Sequence, residues 1–166
     1  MARKKQAGTA ALVALEKTGL SYTLHTFEVT GTHYGEEAAG ALQAAKERVF
    51  KTLVVDLTAG KGPRRELAVC CLPVSHELSL KKAAKAHGVS KVTMADPKLA
   101  ERSSGYVVGG ISPIGQKNPL PTVIDHSATN WDTIFVSGGR RGLDIELSAQ
   151  ALQQATNAQL ADLVAD

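Results

Sequence analysis

The sequence is arranged around one stretch, Gly105-Tyr-Val-Val-Gly-Gly-Ile-Ser-Pro-Ile-Gly-Gln-Lys117. Residues 106–108 are apolar and predict a short strand, and Gly109, Gly110 and Pro113 predict a tight turn after it. Glycine has no Cβ and tolerates positive φ, so the backbone N–H groups of such a turn can approach a ligand closely. These N–H groups suit an anion or a developing oxyanion. A tight connection without a ligand is the alternative interpretation, and it is the more frequent one for Gly/Pro turns in general.

Outward from this stretch, strand and helix patterns follow one another without a regular βαβ order. Strands are predicted over residues 20–29, 49–58, 66–74, 92–94, 122–125, 133–137 and 143–147. Helices are predicted over residues 9–19, 36–47, 79–88 and 96–104, and two short terminal helices open at Ser148 and Thr156. A polar turn separates residues 49–58 from 66–74, which favours a hairpin. The pattern predicts one α+β domain with a mixed, mostly antiparallel sheet flanked by helices.

Composition restricts the classes of function. The 166 residues carry 43% apolar residues, 4% aromatic residues and a net charge of +3. This charge permits an RNA partner without demanding one, and the low aromatic content argues against a surface built mainly for base stacking. We expect no membrane span, because no apolar run has the required length. Cys70 and Cys71 are sequence neighbours that point to opposite faces of a strand, so reduced thiols and a cytoplasmic protein are expected.

Lys51 is the single residue most suggestive of chemistry. On a strand it shares a face with Val49, Leu53, Val55 and Leu57. A lysine aligned with aliphatic residues either lies at the edge of the sheet with its amine in solvent, or points into a partly desolvated pocket. An edge position is the more frequent outcome, and a pocket lysine would hold an anion or a carbonyl oxygen.

The segment 137–147 offers a second candidate. Asp144 lies on the polar face of its strand with Glu146, and it is either solvated or able to bind a substrate's α-ammonium group. Residues 137–142, Ser-Gly-Gly-Arg-Arg-Gly, form either a phosphate-contacting loop or a basic surface turn.

Other site types fit the sequence poorly. A thiol hydrolase built on Cys70 or Cys71 with His76 lacks an acidic residue to orient the histidine. The five histidines show no metal-ligand spacing, and the glycines at 105–110 are not a dinucleotide fingerprint because no helix is predicted to follow them. We therefore expect neither a metal nor a cofactor.

Five segments taken together resemble the YbaK/EbsC family. They are Val49-Phe-Lys-Thr-Leu-Val-Val, Met94-Ala-Asp-Pro, residues 105–117, Leu120-Pro-Thr and Ser137-Gly-Gly-Arg-Arg-Gly-Leu-Asp-Ile-Glu-Leu. The resemblance covers residues 12–164, with the motifs in the family's order. Its best-known members are Cys-tRNA(Pro) deacylases related to the editing domain of bacterial prolyl-tRNA synthetases. The sequence itself predicts a flexible basic tail over residues 1–8. The resemblance implies a barrel-like sheet and one aminoacyl-tRNA editing domain over residues 9–166.

The resemblance also implies the site. Lys51 matches the family's essential lysine, residues 109–113 match its substrate loop, and Asp144 matches an acidic pocket residue. The residues predicted to bind substrate are Gly109, Gly110, Ile111, Ser112, Pro113, Asp144, Phe27, Thr52 and Gly138. Phe27 stands where family members have tyrosine, so a hydroxyl role there is absent or is supplied by Tyr22 or Tyr34. The implied partners are the aminoacylated 3′ end of tRNA and, in a transient complex, prolyl-tRNA synthetase.

The sequence offers no convincing protein nucleophile, which favours a mechanism in which the substrate supplies its own. The thiol of a mischarged cysteine can attack its own ester carbonyl and leave as a cyclic thiolactone, a route implied by the resemblance. Two alternatives remain open at this point. One is a deacylase that removes another small amino acid, such as alanine, with bound water. The other is a module that binds the tRNA 3′ end or a synthetase without turnover.

Overall fold

The computed structural model describes residues 8–166, so residues 1–7 of the predicted tail lie outside the described residues. The helices are α1 (Ala10–Thr18), α2 (Tyr34–Leu42), α3 (Leu80–His87), α4 (Pro97–Ser104) and α5 (Ala149–Thr156). The strands are β1 (Thr23–Thr26), β2 (Phe50–Asp56), β3 (Leu67–Pro73), β4 (Thr93–Met94), β5 (Thr122–Asp125), β6 (Ile134–Arg140), β7 (Leu143–Leu147) and β8 (Gln159–Ala161). Short 3₁₀ turns cover Lys46–Arg48 and His126–Asn130.

The strands form two sheets. One has the order β1-β7-β6, and the other has the order β4-β2-β3-β5-β8. The pairs β1–β7, β6–β7, β2–β3 and β2–β4 are antiparallel, whereas β3–β5 and β5–β8 are parallel. The prediction of an α+β domain with a mixed, mostly antiparallel sheet is therefore confirmed. The strands do not close into a complete barrel, because the described residues divide them between these two sheets.

Local capping chemistry explains where the helices begin and end. The side chains of Thr9, Ser79 and Ser148 each accept a backbone N–H from the first turn of α1, α3 and α5. Asp96 caps α4, whose first residue is proline. Helix α2 begins at Tyr34, two residues before the predicted start.

The core is built on both faces of the larger sheet. Phe50, Val54 and Cys71 belong to the largest apolar cluster, which also takes in α1 and the three-stranded sheet. Val55 and Cys70 face a second cluster under α3. The two cysteines therefore point to opposite faces, as the period of a strand requires. A third cluster packs α2 against Val49 and Phe135.

Two predicted elements are wrong. Residues 106–108 form no strand. Tyr106 is buried, with its hydroxyl donating to the Ile114 carbonyl at 2.6 Å, while Val107 and Val108 are exposed and the Gly110 N–H closes a turn onto the Val107 carbonyl. Thr156 does not open a helix, since it is the last residue of α5. The segment that follows instead adds β8 beside β5, because Asn157 adopts a left-handed conformation that ends the helix.

The outer edge of β2 is only partly covered. Strand β4 pairs with it at Val55 and Asp56 alone. Just before β2, Val49 forms an isolated parallel bridge with Phe135 of β6. The side of β2 away from β3 is therefore open only between this bridge and β4, and the space there is bounded by α2, by the turn at 106–110 and by the tip between β6 and β7. This interruption of the sheet creates the site described next.

Candidate active site

A cavity of about 370 Å³ opens beside the first half of β2. Its walls come from β2, α2, the Met94–Ala100 region, the turn at 106–110 and the tip between β6 and β7. Most of the lining is apolar. Among the described residues that line it, three have side chains that can carry charge, namely Lys51, Arg141 and Asp144. A small apolar cavity with a few convergent polar groups is typical of a ligand site.

Lys51 lies in the wall of this cavity and is half-buried. Partial burial removes water from its ammonium group and lowers the pKa of Lys51, and the opposing charge effect of Glu77 is the smaller of the two. The sequence left two positions open for Lys51, an edge of the sheet with the amine in solvent or a partly desolvated pocket. The structure places Lys51 in the pocket. A desolvated amine at a cavity wall can hold a carbonyl oxygen or an anion more strongly than an amine in open water.

Asp144 is also at the cavity, and only 8% of its surface is exposed. The interpretation of a solvated strand face is thus wrong for this residue. Its carboxylate has no hydrogen-bond or ion-pair partner among residues 8–166. Burial raises the pKa of Asp144 to about 7. A buried carboxyl group without a partner is costly to keep ionised unless a ligand supplies a positive charge.

Glu146, two residues further along the same strand face, provides a contrast. Its carboxylate accepts the Thr133 hydroxyl at 2.6 Å and the Arg48 guanidinium at 2.9 Å, and it contacts His25 Nε2 at 2.8 Å. Chiefly the Thr133 hydrogen bond holds the pKa of Glu146 below its ordinary value. Glu146 is satisfied within the protein, whereas Asp144 is not.

The glycine turn has fewer free N–H groups than its sequence suggests. The N–H of Gly110 donates to the Val107 carbonyl at 2.8 Å, and the N–H of Val108 donates to the Glu101 carboxylate at 2.8 Å. No acceptor among residues 8–166 is found for the N–H groups of Gly109 and Ile111, and both residues line the cavity. These two groups are the candidates for holding an oxyanion.

Thr52 contributes its backbone to the open edge of β2. The Val74 N–H donates to the Val49 carbonyl and the Leu57 N–H to the Glu66 carbonyl, so odd-numbered residues of β2 bond to β3. The alternation of the antiparallel ladder then directs the N–H and C=O of Thr52 away from β3, toward the edge that β4 does not reach. Thr52 lines the cavity, so its peptide groups are available to a ligand there.

The predicted site residues divide into two sets. The structure brings Lys51, Thr52, Phe27, Gly109, Ile111 and Asp144 to one cavity. It does not place the remaining four in the lining, and these are Gly110, Ser112, Pro113 and Gly138. They support the walls: the Ser112 hydroxyl accepts the Ile114 N–H, and a Cβ on Gly110 would approach the Arg140 backbone to 2.8 Å. The sequence suggested Tyr34 only as a source of a hydroxyl, beside Tyr22, and Arg141 only as part of a basic loop. The structure places Tyr34 and Arg141 in the cavity lining, where α2 and the hairpin tip meet, and Tyr22 outside it.

The cysteines are poorly suited to nucleophilic chemistry. Both are fully buried, and burial raises the pKa of Cys70 and of Cys71 to about 12. Neither belongs to the cavity lining. A thiolate is the reactive form, so these thiols are inert at neutral pH.

One group of potential metal ligands exists elsewhere among the described residues. Asp125, His126 and Asp162 place ligand atoms within 4.8 Å of one another. Asp125 already accepts two backbone N–H groups, and Asp162 pairs with Lys82 at 3.0 Å. This group is not part of the cavity, and the expectation of a metal-free, cofactor-free protein stays a prediction.

No helix within residues 8–166 is long and apolar enough to cross a membrane.

The sequence profile of the aminoacyl-tRNA editing domain family matches residues 30–155. EbsC of Enterococcus faecalis, a candidate Cys-tRNA(Pro)/Cys-tRNA(Cys) deacylase, is 40% identical over 167 residues, which cover 98% of both chains. The structure of a candidate trans-editing enzyme for prolyl-tRNA synthetase is similar at 25% identity with a TM-score of 0.78, covering 98% of this chain and 96% of that one. The hypothetical protein APE2540 shares the fold at 24% identity with a TM-score of 0.81, covering 94% of this chain and 99% of that one.

Proposed function

Because this chain belongs to the aminoacyl-tRNA editing domain family and is an aminoacyl-tRNA deacylase, we propose that its substrate is tRNA mischarged with cysteine, foremost Cys-tRNA(Pro). The observation that carries this proposal is the 40% identity to the E. faecalis protein along nearly the whole of both chains. The physical need for such an activity is general. A synthetase pocket sized for proline rejects a residue as small as cysteine by only about 1–3 kcal/mol.

The cavity supports a mechanism in which the substrate supplies the nucleophile. Its lining contains no cysteine and no histidine among the described residues. In the proposed reaction the substrate thiolate attacks its own ester carbonyl carbon, a carbon–sulfur bond forms, and the bond to the ribose oxygen breaks. The ribose oxygen takes up the proton that the thiol released, and the products are free tRNA and a cysteine thiolactone, which water then hydrolyses.

The lining residues have separate roles in this proposal. Asp144 binds the α-ammonium group, which supplies the positive charge that its buried carboxylate lacks. The N–H groups of Gly109 and Ile111 stabilise the oxyanion that develops on the carbonyl. Lys51 binds the ribose or phosphate end of the ester and favours the thiolate. Thr52 and Phe27 complete the walls that hold the cysteine side chain.

The proposed substrate also determines the partner and the cellular location that we propose for this protein. The aminoacylated 3′ end of tRNA is the ligand at the cavity, and the reaction takes place in the cytoplasm, where tRNA is charged. A modest net charge of +3 gives limited affinity for tRNA alone. We therefore propose a transient complex with prolyl-tRNA synthetase as the source of tRNA selectivity.

A panel of charged tRNAs tests the function. Purified protein is incubated with Cys-tRNA(Pro), Ser-tRNA(Pro), Ala-tRNA(Pro) and Pro-tRNA(Pro), and the loss of the aminoacyl ester is followed. We expect rapid cleavage of the cysteinyl ester alone, because a hydroxyl is a far weaker nucleophile than a thiolate. Cleavage of Ser-tRNA(Pro) at a comparable rate contradicts attack by the substrate's own thiol. Preferential cleavage of Ala-tRNA(Pro) means that the substrate is tRNA mischarged with alanine rather than with cysteine. Binding without cleavage of any member contradicts the catalytic proposal.

A further inference from the structure

The guanidinium of Arg141 bridges two walls of the cavity. Arg141 lies at the tip between β6 and β7, where its Nε and Nη2 donate to the Val108 carbonyl at 2.9 and 2.6 Å. The same guanidinium lies over the ring of Tyr34, 4.6 Å from its centre. Arg141 therefore joins the hairpin tip, the glycine turn and the first residue of α2, although its side chain is exposed.

Both partners of Arg141 are in close contact with Gly109. A Cβ built on Gly109 would come within 2.6 Å of the Tyr34 ring, so only glycine allows the turn to lie this close. Gly109 has φ of +88°, a conformation that other residues rarely adopt. The tip that carries Arg141 is itself anchored, because the Phe27 N–H donates to the Gly142 carbonyl at 2.9 Å.

The covalent geometry of the chain links Arg141 to one oxyanion donor. The carbonyl of Val108 and the N–H of Gly109 belong to the same peptide unit, which is planar and trans. The two groups therefore point in opposite directions and rotate together. Two hydrogen bonds from Arg141 fix the direction of the Val108 carbonyl, and with it the direction of the unpartnered Gly109 N–H.

We propose that Arg141 is a positioning residue that sets the orientation of the Gly109 N–H for catalysis. The inference rests on the proposed function, since it concerns the oxyanion donors of that reaction. The competing role for an exposed arginine at this place is direct contact with a tRNA phosphate. The two roles differ in what is lost: orientation of a donor affects the chemical step, whereas a phosphate contact affects the binding of RNA.

The experiment compares R141A, R141K and R140A with the wild-type protein. Arg140 is the adjacent arginine and does not line the cavity, so R140A is a matched control for loss of one positive charge. The substrates are Cys-tRNA(Pro) and 3′-O-cysteinyl adenosine, which has the same ester but no phosphate. We expect R141A to lower kcat on the order of 100-fold on both substrates with KM close to wild type, because a misplaced donor acts on the transition state. R141K keeps one donor and should be intermediate, and R140A should leave kcat unchanged.

Two outcomes overturn the proposal. One is a raised KM for Cys-tRNA(Pro) with wild-type rates on the adenosine ester, which indicates a phosphate contact. The other is unchanged amide hydrogen exchange in R141A at Val108 and Gly110, whose N–H groups form hydrogen bonds within the turn. Exchange should accelerate in R141A and not in R140A, and unchanged exchange refutes the positioning role. This measurement needs no substrate, so it decides the inference even if the wild-type protein does not cleave cysteinyl esters.

Discussion

Replacing Asp144 by asparagine should make the protein more stable at neutral pH while impairing its activity. The change keeps the shape of the side chain and removes only its ability to ionise. Only 8% of the surface of Asp144 is exposed, and its carboxylate has no ion-pair partner among residues 8–166. A neutral amide does not carry the penalty of a buried negative charge. The activity falls because the amide cannot balance the α-ammonium group of the substrate.

The size of the effect follows from the pKa of this group. Burial raises the pKa of Asp144 from 3.8 to about 7 in the folded protein. Between these two values the folded state holds a proton that the unfolded state has released, so the contribution of Asp144 to stability falls as the pH rises. Each pKa unit corresponds to about 1.4 kcal/mol, so the full loss is about 4 kcal/mol. D144N should therefore exceed the wild-type free energy of unfolding by about 2 kcal/mol at pH 5 and by about 4 kcal/mol at pH 8.

Denaturant unfolding at pH 4, 5, 6 and 8 measures this difference. Groups that titrate in both proteins cancel when the two curves are subtracted. Asp132 is exposed, so D132N serves as a control and should show no pH-dependent gain. An equal difference at pH 5 and pH 8 refutes the reasoning, as does a wild-type protein that is the more stable of the two at pH 8. Either result means that the carboxylate is already neutralised within the native protein.

Two further substitutions test the cavity. K51M keeps the aliphatic stem of Lys51 and removes its amine, so the fold should persist, while kcat/KM for Cys-tRNA(Pro) falls on the order of 100-fold. The control is K61M, which removes the amine of an exposed turn residue. Undiminished activity of K51M contradicts a role for the amine. G109A places a methyl group within 2.6 Å of the Tyr34 ring, whereas G62A has a similar positive φ with nothing within 4 Å. In both variants an alanine at positive φ should lower the stability by roughly 1–2 kcal/mol. Thermal unfolding should show a larger loss of stability for G109A alone, and only G109A should also lose activity. Equal losses in the two variants would show that the contact with Tyr34 imposes no constraint.

Local signals in the sequence predicted most of the fold. Caps at Thr9, Ser79, Asp96 and Ser148 fix helix starts through interactions within four residues, so they can be identified without tertiary information. The hairpin of β2 and β3 was also predictable, because its alternation and polar turn are local. Residues 106–108 show the limit. Their apolar character matches a strand, but a strand needs a partner edge, and whether one is within reach depends on the whole chain.

The site was predictable only in part for the same reason. Lys51 and Asp144 could be identified as candidates from strand faces, but the burial of Asp144 depends on how β1, β6 and β7 pack around it. The contact between Arg141 and the Val108 carbonyl joins residues 33 positions apart. The loss of the Gly110 N–H to an internal turn could not be foreseen either, since glycine content does not reveal which peptide groups are already bonded.

The seclusion of Cys70 and Cys71 within the sheet has a consequence for the cell that houses this protein. Peroxide and thiol-modifying electrophiles attack accessible thiolates, and both sulfurs here are protonated and shielded. The proposed mechanism uses no thiol of the protein, so on that mechanism deacylation would continue during oxidative stress, when many cysteine-dependent enzymes are inactivated.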